Sequence, residues 1–436
     1  MKKISAKIEF ILVLIGLFVY FFIFPHDIDG DGLIRFNALT TLVEHGRFSP
    51  MLFSYIGPLV SSPLILLGYL FQDPQWWLSR FNAMVLVGFA FWFSRQFLKE
   101  WMDRRRTRFV LLLLFATMFP IHATDYNSEI FSSCFAAMGI VLFLQRRFFS
   151  GALLLTLSAV NSPGTAVAAG LVCVFMALRL RQLRHLAVIL VMALGILGES
   201  YLRTQEWLPT AIFSGVGKKN LLPYSGGPGF NYPLWFGLIS VFFSPGKGLL
   251  FFTPGIFLLF SHRLWRQPSL GRDFLLVGII YLLGLLCVYG RWWSWYGGNF
   301  WGPRYYLFAS ILSVMAILYL WEDYSAGIKE KFSVFCVTVL SFWVGCEGVL
   351  FGQDFLDYCY QRSDGSEFMC QYVPEFSALW RVFLVRPPIE GGKLVSFIFF
   401  LLVALVVLFP LAQSIYWELL QIWKKNLIGE GRKWKI

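Results

Sequence analysis

Long apolar runs without charge constrain this chain more than any other feature. Residues 274–289 and 395–411 contain no charged side chain, and 8–24 contains only Glu9 near its start. A helix of about 17–25 such residues is long enough to cross a bilayer. Only 14% of the 436 residues are charged, against ~25% in an ordinary soluble domain. The sequence therefore predicts an all-α, polytopic membrane protein.

Basic residues set the expected orientation. Most of them fall in short segments between the apolar runs, at Lys2–Lys7, Lys99–Arg108, Arg146–Arg147, Arg179–Arg184, Arg263–Arg272, Lys329–Lys331 and Lys424–Lys435. Such segments stay on the cytoplasmic side of a membrane. This bias accounts for the net charge of +12 without a nucleic-acid partner, and it predicts that both termini are cytoplasmic.

This orientation predicts about twelve transmembrane helices in a single integral membrane domain, 1–436. The first is a retained helix, because no small-residue cleavage site follows it. The spans are expected near 8–24, 76–98, 108–121, 128–145, 150–160, 164–180, 185–202, 246–261, 273–290, 304–321, 332–350 and 393–417. The fifth and sixth form either two spans or a re-entrant pair. Four longer stretches, 25–75, 203–245, 291–303 and 351–391, then face outward.

The first outward stretch opens with HDIDGDGLIRF at 26–36 and continues as an amphipathic helix that stops at Gly46. A second, Pro- and Gly-broken apolar segment, 55–71, suits a helix on the membrane surface. The aspartates have three interpretations. A calcium loop lacks its bidentate glutamate, since position twelve is Ala38. A solvated turn needs no function, and catalytic carboxylates are the third interpretation.

A second polar and aromatic cluster lies in GRWWSWYGGNFWGPRYY at 290–306. Tryptophan and tyrosine are common at any membrane interface, but the glycine pairs and Arg304 are not explained by that. An arginine at a helix start beside glycines suits a phosphate group. Expected groove aromatics are Trp295, Tyr296, Trp301 and Tyr305, with Arg291 as a further phosphate ligand.

The order of these motifs resembles the GT-C superfamily of membrane glycosyltransferases. The closest pattern is that of polyprenyl-phosphate-dependent enzymes of family 39, the protein O-mannosyltransferase-like proteins and lipid A aminoarabinose transferases. Their catalytic Asp precedes a helix-ending glycine by about fifteen residues, as Asp31 precedes Gly46. FFSPGKGLLFFTPG (242–255) and WYGGNFWGPRYY also resemble segments of that family. The Glu that follows the family's Asp is Gly32 here.

The resemblance implies a GT-C bundle that moves a sugar from a polyprenyl-phosphate donor to an acceptor. Asp31 would be the general base, with Asp29 or Asp125 as alternatives. Arg304 would bind the donor phosphate, helped by Lys247, Arg35 and Arg291. Asp125 and Glu129, four residues apart, would orient the acceptor or a metal. Asp125 could instead cap the next helix, and Arg35 could form a surface salt bridge.

The remaining expectations concern cofactors, partners and competing functions. No cofactor is required, and a divalent cation (Mg, Mn or Ca) is left open. The partners are the lipid-linked donor, a glycan, glycolipid or protein acceptor, and membrane lipids, in a bacterial inner membrane with an external active site. Cys359 and Cys370 lie in the last outward stretch and could form a disulfide. An O-antigen-type ligase or polymerase and a flippase of lipid-linked sugars are the alternative functions.

Overall fold

The chain folds into a helical bundle in the computed structural model. The structure describes residues 2–96, 103–208, 229–266, 269–321, 327–362 and 367–433, and no strand occurs in these ranges. The helices are α1 Lys2–Phe18, α2 Gly30–His45, α3 Ile56–Leu70, α4 Pro74–Ser79, α5 Phe81–Gln96, α6 Asp103–Phe115, α7 Phe119–His122, α8 Glu129–Leu144, α9 Phe148–Asn161, α10 Ala166–Leu180, α11 Arg184–Thr204, α12 Leu234–Phe243, α13 Leu249–Phe252, α14 Leu270–Tyr289, α15 Phe308–Trp321, α16 Ile328–Glu347, α17 Gln353–Arg362, α18 Phe368–Tyr372 and α19 Gly391–Lys433.

Several helices have the length and apolar composition of membrane spans. Within the described ranges these are Pro163–Leu180, Arg184–Thr204, Leu270–Tyr289, Ile328–Gln361 and Gly391–Lys424. Shorter apolar helices, among them α8, α9 and α15, pack inside the bundle, and most residues of α15 are buried. The protein is therefore a multi-pass membrane protein, while the count of about twelve spans stays a prediction.

One predicted span has a different form. The segment 246–261 is not a continuous helix but the four-residue α13 followed by a 3₁₀ helix, Pro254–Phe260. Pro254 cannot donate a backbone hydrogen bond within a helix. Gly255 lies so close to Ser313 of α15 that an added Cβ would overlap its side chain. The segment is therefore irregular at the place where it packs closely against α15.

The predicted amphipathic helix of the first outward stretch is α2. Asp29 caps its N-terminus by accepting a hydrogen bond from the Gly30 amide at 2.5 Å. Its C-terminus ends at Gly46 in the left-handed region, with φ of 65°, which glycine adopts without steric cost. These two local signals fix the register of α2, and this register places Asp31 in the first helical turn.

Residues of 351–391, the last stretch predicted to face outward, contact the loop before α13. Cys359 and Cys370, the pair singled out by the sequence, are joined by a disulfide. The adjacent Gln371 carbonyl accepts hydrogen bonds from the Gly246 amide at 3.0 Å and from the Ser244 hydroxyl at 2.5 Å. Part of the other predicted stretch, 203–245, lies outside the described residues.

Candidate active site

Arg304 joins two carboxylates from distant parts of the chain. Its guanidinium donates to Asp31 Oδ2 at 2.8 Å and lies 3.4 Å from Glu129 Oε1. Asp31 belongs to the first turn of α2, Glu129 begins α8, and Arg304 begins the 3₁₀ turn before α15. All three side chains are mostly buried, with 27%, 11% and 7% exposed, respectively. The structure therefore brings together the predicted base and the predicted phosphate ligand.

One carboxylate oxygen of Asp31 is not occupied by Arg304. Oδ2 is occupied by Arg304, but Oδ1 has no hydrogen-bond partner among the described residues. Asp29 does not share this position, because its carboxylate caps α2. Of the two aspartates, the geometry thus favours Asp31 for proton transfer.

Asp125 lies behind α2 and does not line the cavity that contains Asp31. Its carboxylate accepts hydrogen bonds from the Tyr126 amide at 2.6 Å and the Asn127 side chain at 2.5 Å. An added Cβ at Gly32 would lie 2.8 Å from Asp125 Oδ1. The space that a glutamate at position 32 would need is therefore filled by Asp125, which supports the first turn of α2.

Partial burial gives Asp125 an unusual titration. Desolvation raises the pKa of Asp125 to about 7, against the lowering effect of its hydrogen bonds and of Arg304. Between pH about 4 and about 7 the folded protein holds a proton that the unfolded protein releases. Raising the pH through this window therefore destabilises the fold, and the loss is complete above about pH 7.

The Asp125→Asn variant is expected to lose this pH dependence. Its amide stays neutral at every pH, so its thermal midpoint should change less between pH 4.5 and 8 than that of the wild type. Thermal unfolding in detergent at several pH values gives the slope of the thermal midpoint against pH for both proteins. Asp354→Asn, at an exposed carboxylate, is the control and should keep the wild-type slope. Equal slopes in wild type and Asp125→Asn would contradict the assignment.

A cavity of about 780 Å³ opens beside the cluster of Asp31, Glu129 and Arg304. Its polar end carries Asp31, Arg35, Glu129 and Arg304, together with Ser54 and Ser128. The rest of its lining is mostly apolar and aromatic, apart from Asn161, Ser162 and Arg291. The apolar and aromatic residues are Leu52, Phe53, Ala166, Val167, Ile196, Phe230, Val288, Tyr289, Trp292, Trp293 and Tyr305. A charged head and a long apolar body would both find matching surface in this cavity.

Arg35 is a buried cation at the polar end. Its side chain is 4% exposed, Nη1 donates to the Ser54 carbonyl at 3.4 Å, and Nε has no hydrogen-bond partner. The guanidinium also lies 4.8 Å from the centre of the Phe53 ring. No carboxylate forms an ion pair with it among the described residues, so it does not form the surface salt bridge considered from sequence.

Arg291 and Tyr305 also lie where the sequence predicted a substrate site. Arg291 is exposed at the cavity wall, and its guanidinium has no partner among the described residues. Tyr305 stacks on Tyr289 with 4.2 Å between ring centres. Tyr289, Trp292 and Trp293 were not predicted to line the cavity. Tyr289 ends an apolar helix, and Trp292 and Trp293 belong to the aromatic motif.

Three of the predicted groove aromatics lie elsewhere. Trp295 and Trp301 are each 1% exposed, Tyr296 is 2% exposed, and none of them lines the cavity. Trp301 donates to the buried Glu347 carboxylate at 3.0 Å, and Tyr296 donates to Glu367 at 3.3 Å. These side chains are buried in the bundle and pack against the loop, so they do not lie at the cavity wall where the groove aromatics were expected.

Lys247 also differs from its predicted position. Its ammonium is fully buried and donates to the carbonyls of Gly298 at 3.1 Å, Gly302 at 3.4 Å and Phe300. Three donors therefore meet three acceptors, and Lys247 does not line the cavity. Instead of facing a phosphate, Lys247 holds the loop that precedes Arg304.

The carboxylates show no arrangement typical of a metal site. In the ranges that the structure describes, no group of three or more His, Cys, Asp or Glu side chains could hold a metal ion. Asp31 and Glu129 share Arg304 as their cation. The optional divalent cation stays a prediction.

The fold is similar to that of a solved membrane enzyme. The crystal structure of ArnT from Cupriavidus metallidurans bound to undecaprenyl phosphate superposes with a TM-score of 0.50 and 13% identity, covering 91% of this chain and 77% of that chain. ArnT is a lipid A aminoarabinose transferase. The chain has a GT-C fold.

The fold is also similar to that of a second solved structure. The apo-state crystal structure of the same ArnT has a TM-score of 0.47 and 14% identity, covering 91% of this chain and 76% of that chain. No protein-family model and no curated protein sequence matches this chain. The similarity to the ArnT structure with undecaprenyl phosphate confirms the predicted GT-C fold.

Proposed function

We propose that this protein is a glycosyltransferase that moves a sugar from a polyprenyl-phosphate donor to an acceptor at the outer face of the membrane. The observation that carries the proposal is the pair of Asp31 and Arg304, 2.8 Å apart, at the polar end of a cavity with apolar walls. A base and a phosphate ligand in contact are what such a transfer needs. The GT-C fold and the ArnT structure with undecaprenyl phosphate support this donor class.

Three arginines are available for the donor phosphate. Arg304 and Arg291 can donate to phosphate oxygens through planar guanidinium groups, and the partly unpaired Arg35 provides a third cation. The five charged side chains around the cavity, Asp31, Glu129 and the three arginines, sum to +1, which matches the single charge of a phosphodiester. The prenyl chain would lie against the apolar wall near Val167 and Val288.

The chemistry is a single displacement at the anomeric carbon. The acceptor oxygen or nitrogen attacks that carbon and gives its proton to Asp31 Oδ1. The bond between the anomeric carbon and the phosphate oxygen breaks, and polyprenyl phosphate leaves with both bonding electrons. Arg304 stabilises the developing negative charge on the phosphate. Attack opposite to the leaving group inverts the configuration of the sugar.

The test is sugar transfer by the purified protein in nanodiscs. A panel of undecaprenyl-phospho-sugars is offered with crude cell envelope as acceptor, and released undecaprenyl phosphate and labelled product are measured. Transfer from at least one donor is expected. No transfer from any donor would overturn the proposal, and lipid-linked sugar crossing the bilayer without transfer would favour a flippase.

The Lys247→Met variant is expected to weaken binding of undecaprenyl phosphate by roughly ten- to hundredfold, although Lys247 does not reach the cavity. Removing the ammonium leaves the carbonyls of Gly298, Phe300 and Gly302 without their donor, so the loop that positions Arg304 loosens. Hydrogen exchange of the 297–304 peptide in the absence of ligand should therefore become faster.

Ligand binding and loop hydrogen exchange together show whether Lys247 positions the loop or contacts the phosphate directly. Lys393→Met removes a lysine whose partner is an exposed carboxylate, Asp354, at 2.5 Å, and is the matched control with wild-type behaviour in both assays. Weaker binding with unchanged loop exchange in Lys247→Met would mean that Lys247 contacts the phosphate itself. Unchanged binding would show that the loop does not depend on Lys247.

A further inference from the structure

A second polar cavity lies between the opposite ends of the helices that build the active site. Its volume is about 170 Å³, and its wall includes Arg146, Gln182, Arg184 and His185 beside the rings of Phe143 and Phe148. No part of the proposed transfer reaction uses it.

The position of this cavity follows from helix direction. The active-site cavity contains Glu129 at the start of α8 and Asn161 at the end of α9. The second cavity lies at the end of α8, the start of α9, the end of α10 and the start of α11. The 16 residues of α8 span about 24 Å at 1.5 Å per residue. The two cavities therefore lie at opposite ends of these helices, and on the predicted topology the second lies at the basic, cytoplasmic side.

The cations around this cavity lack acidic partners. The side chains of Arg146 and Arg184 form no ion pair or hydrogen bond among the described residues, although Arg184 lies 4.7 Å from the centre of the Phe148 ring. His185 is 2% exposed. Its Nδ1 lies 3.1 Å from the Gln182 carbonyl, and its Nε2 has no hydrogen-bond partner among the same residues. The guanidinium groups of Arg146 and Arg184 are therefore available to an anionic ligand.

Two helix N-termini add positive potential at the same place. α9 begins after Arg147 and α11 begins after Leu183, and neither helix has a side-chain cap. The His185 and Leu186 amides of α11 donate to the backbone carbonyls of Gln182 and Leu183. The two helix ends therefore contribute through their dipoles, which favour negative charge there. Arg146 and Arg184 stand next to these two ends in the chain. Together the helix dipoles and the guanidinium groups suit the oxygens of a phosphate group.

Large apolar side chains are exposed in the segments that form this cavity. Phe149, Leu178 and Leu183 are 85%, 74% and 79% exposed, and each belongs to a segment that forms the cavity wall. Large exposed apolar side chains beside arginines are expected where a protein meets lipid chains and headgroups together. Acyl chains could cover these side chains while the headgroup reaches the arginines.

We propose that this cavity binds the phosphate group of an anionic phospholipid from the leaflet opposite the active site. The phosphate would receive hydrogen bonds from Arg146 and Arg184 and lie near His185, with the acyl chains against Phe149, Leu178 and Leu183. The bound lipid would hold together α8–α11, whose other ends form part of the donor cavity. The proposal does not depend on the transfer reaction.

The test measures phosphatidylglycerol binding to the purified full-length protein by native mass spectrometry. The Arg146→Gln/Arg184→Gln variant should bind it roughly thirtyfold more weakly than wild type, the effect of two lost surface cations. Arg181→Gln is the matched control, because Arg181 is an exposed arginine in the same α10–α11 connection and does not line the cavity. It should bind like the wild type, and phosphatidylcholine should bind weakly to all.

Each other outcome has a defined meaning. Equal affinity of wild type and double variant, or an equal loss in Arg181→Gln, would overturn the site. Displacement of the lipid by inorganic phosphate that binds equally tightly would keep the phosphate chemistry and overturn the lipid source. If the double variant does not fold, Arg146→Gln alone is tested, because its side chain is exposed and has no partner among the described residues. On a logarithmic scale, its loss of lipid affinity should be about half of that expected for the double variant.

Discussion

Replacing Asp31 by Asn is expected to reduce sugar transfer by roughly a hundredfold or more, the scale of a lost general base. Asparagine cannot accept the proton of the acceptor, but its amide oxygen can still accept the hydrogen bond that Arg304 donates to Asp31 at 2.8 Å. Arg304 also keeps Glu129 as an ionic partner. The thermal midpoint and the affinity for undecaprenyl phosphate should therefore stay near wild type while turnover falls.

Asp29→Asn is the matched control, two residues away on the same segment. Its side chain caps α2, and asparagine is an equally good capping residue, so stability and transfer should both be retained. Full activity of Asp31→Asn would contradict the assignment and move the base to Asp29 or Asp125. Loss of activity together with loss of undecaprenyl phosphate binding would instead make Asp31 an organiser of the phosphate site.

Much of the site could be predicted because its signals are local. The apolar spacing and the terminal glycine, Gly46, predict α2 and its end from sequence alone, and the family's spacing from that glycine points to Asp31. The position of Arg304 after glycines and a proline marks a helix start in the same way. Neither signal depends on which helices are neighbours in the bundle. Both helix ends are therefore found in the structure where the sequence predicts them.

The other contacts depend on packing that no local pattern contains. Glu129 was assigned to an acceptor or a metal, whereas the structure pairs it with Arg304 across the bundle. The pattern around Lys247 indicates a cation near a turn but cannot show that three carbonyls surround it. Trp301 was assigned to the groove because aromatic density does not reveal which side of a loop faces the cavity; its bond to Glu347 decides that.

Replacing Arg304 by Gln is expected to have the other large effect, a loss of transfer of roughly a hundred- to a thousandfold. Glutamine keeps most of the side-chain length but removes the charge that would stabilise the leaving phosphate. Affinity for undecaprenyl phosphate should fall as well, because that product carries the same phosphate. Arg304→Lys keeps the charge but lacks the planar guanidinium group. Its transfer activity should lie between those of the wild type and Arg304→Gln.

This variant also has a stability cost that must be separated from catalysis. Removing one partner of a buried ion pair leaves uncompensated charge and typically costs about 3–5 kcal/mol. Asp31 and Glu129 would then face each other without a cation, so the thermal midpoint of Arg304→Gln should fall. Neutralising Glu129 in the same chain, as Arg304→Gln/Glu129→Gln, removes that repulsion and should recover much of the stability.

The double variant decides which role Arg304 has. If Arg304 acts on the phosphate, the double variant should regain stability and stay inactive, with weak binding of undecaprenyl phosphate. Recovery of transfer along with stability would mean that Arg304 only neutralises the carboxylates. Arg291→Gln, at an exposed arginine of the same cavity, is the matched control and should lower affinity modestly without changing the thermal midpoint. Because Arg304 touches both carboxylates while Arg291 touches neither, the contrast between them isolates the buried cluster as the centre of the reaction.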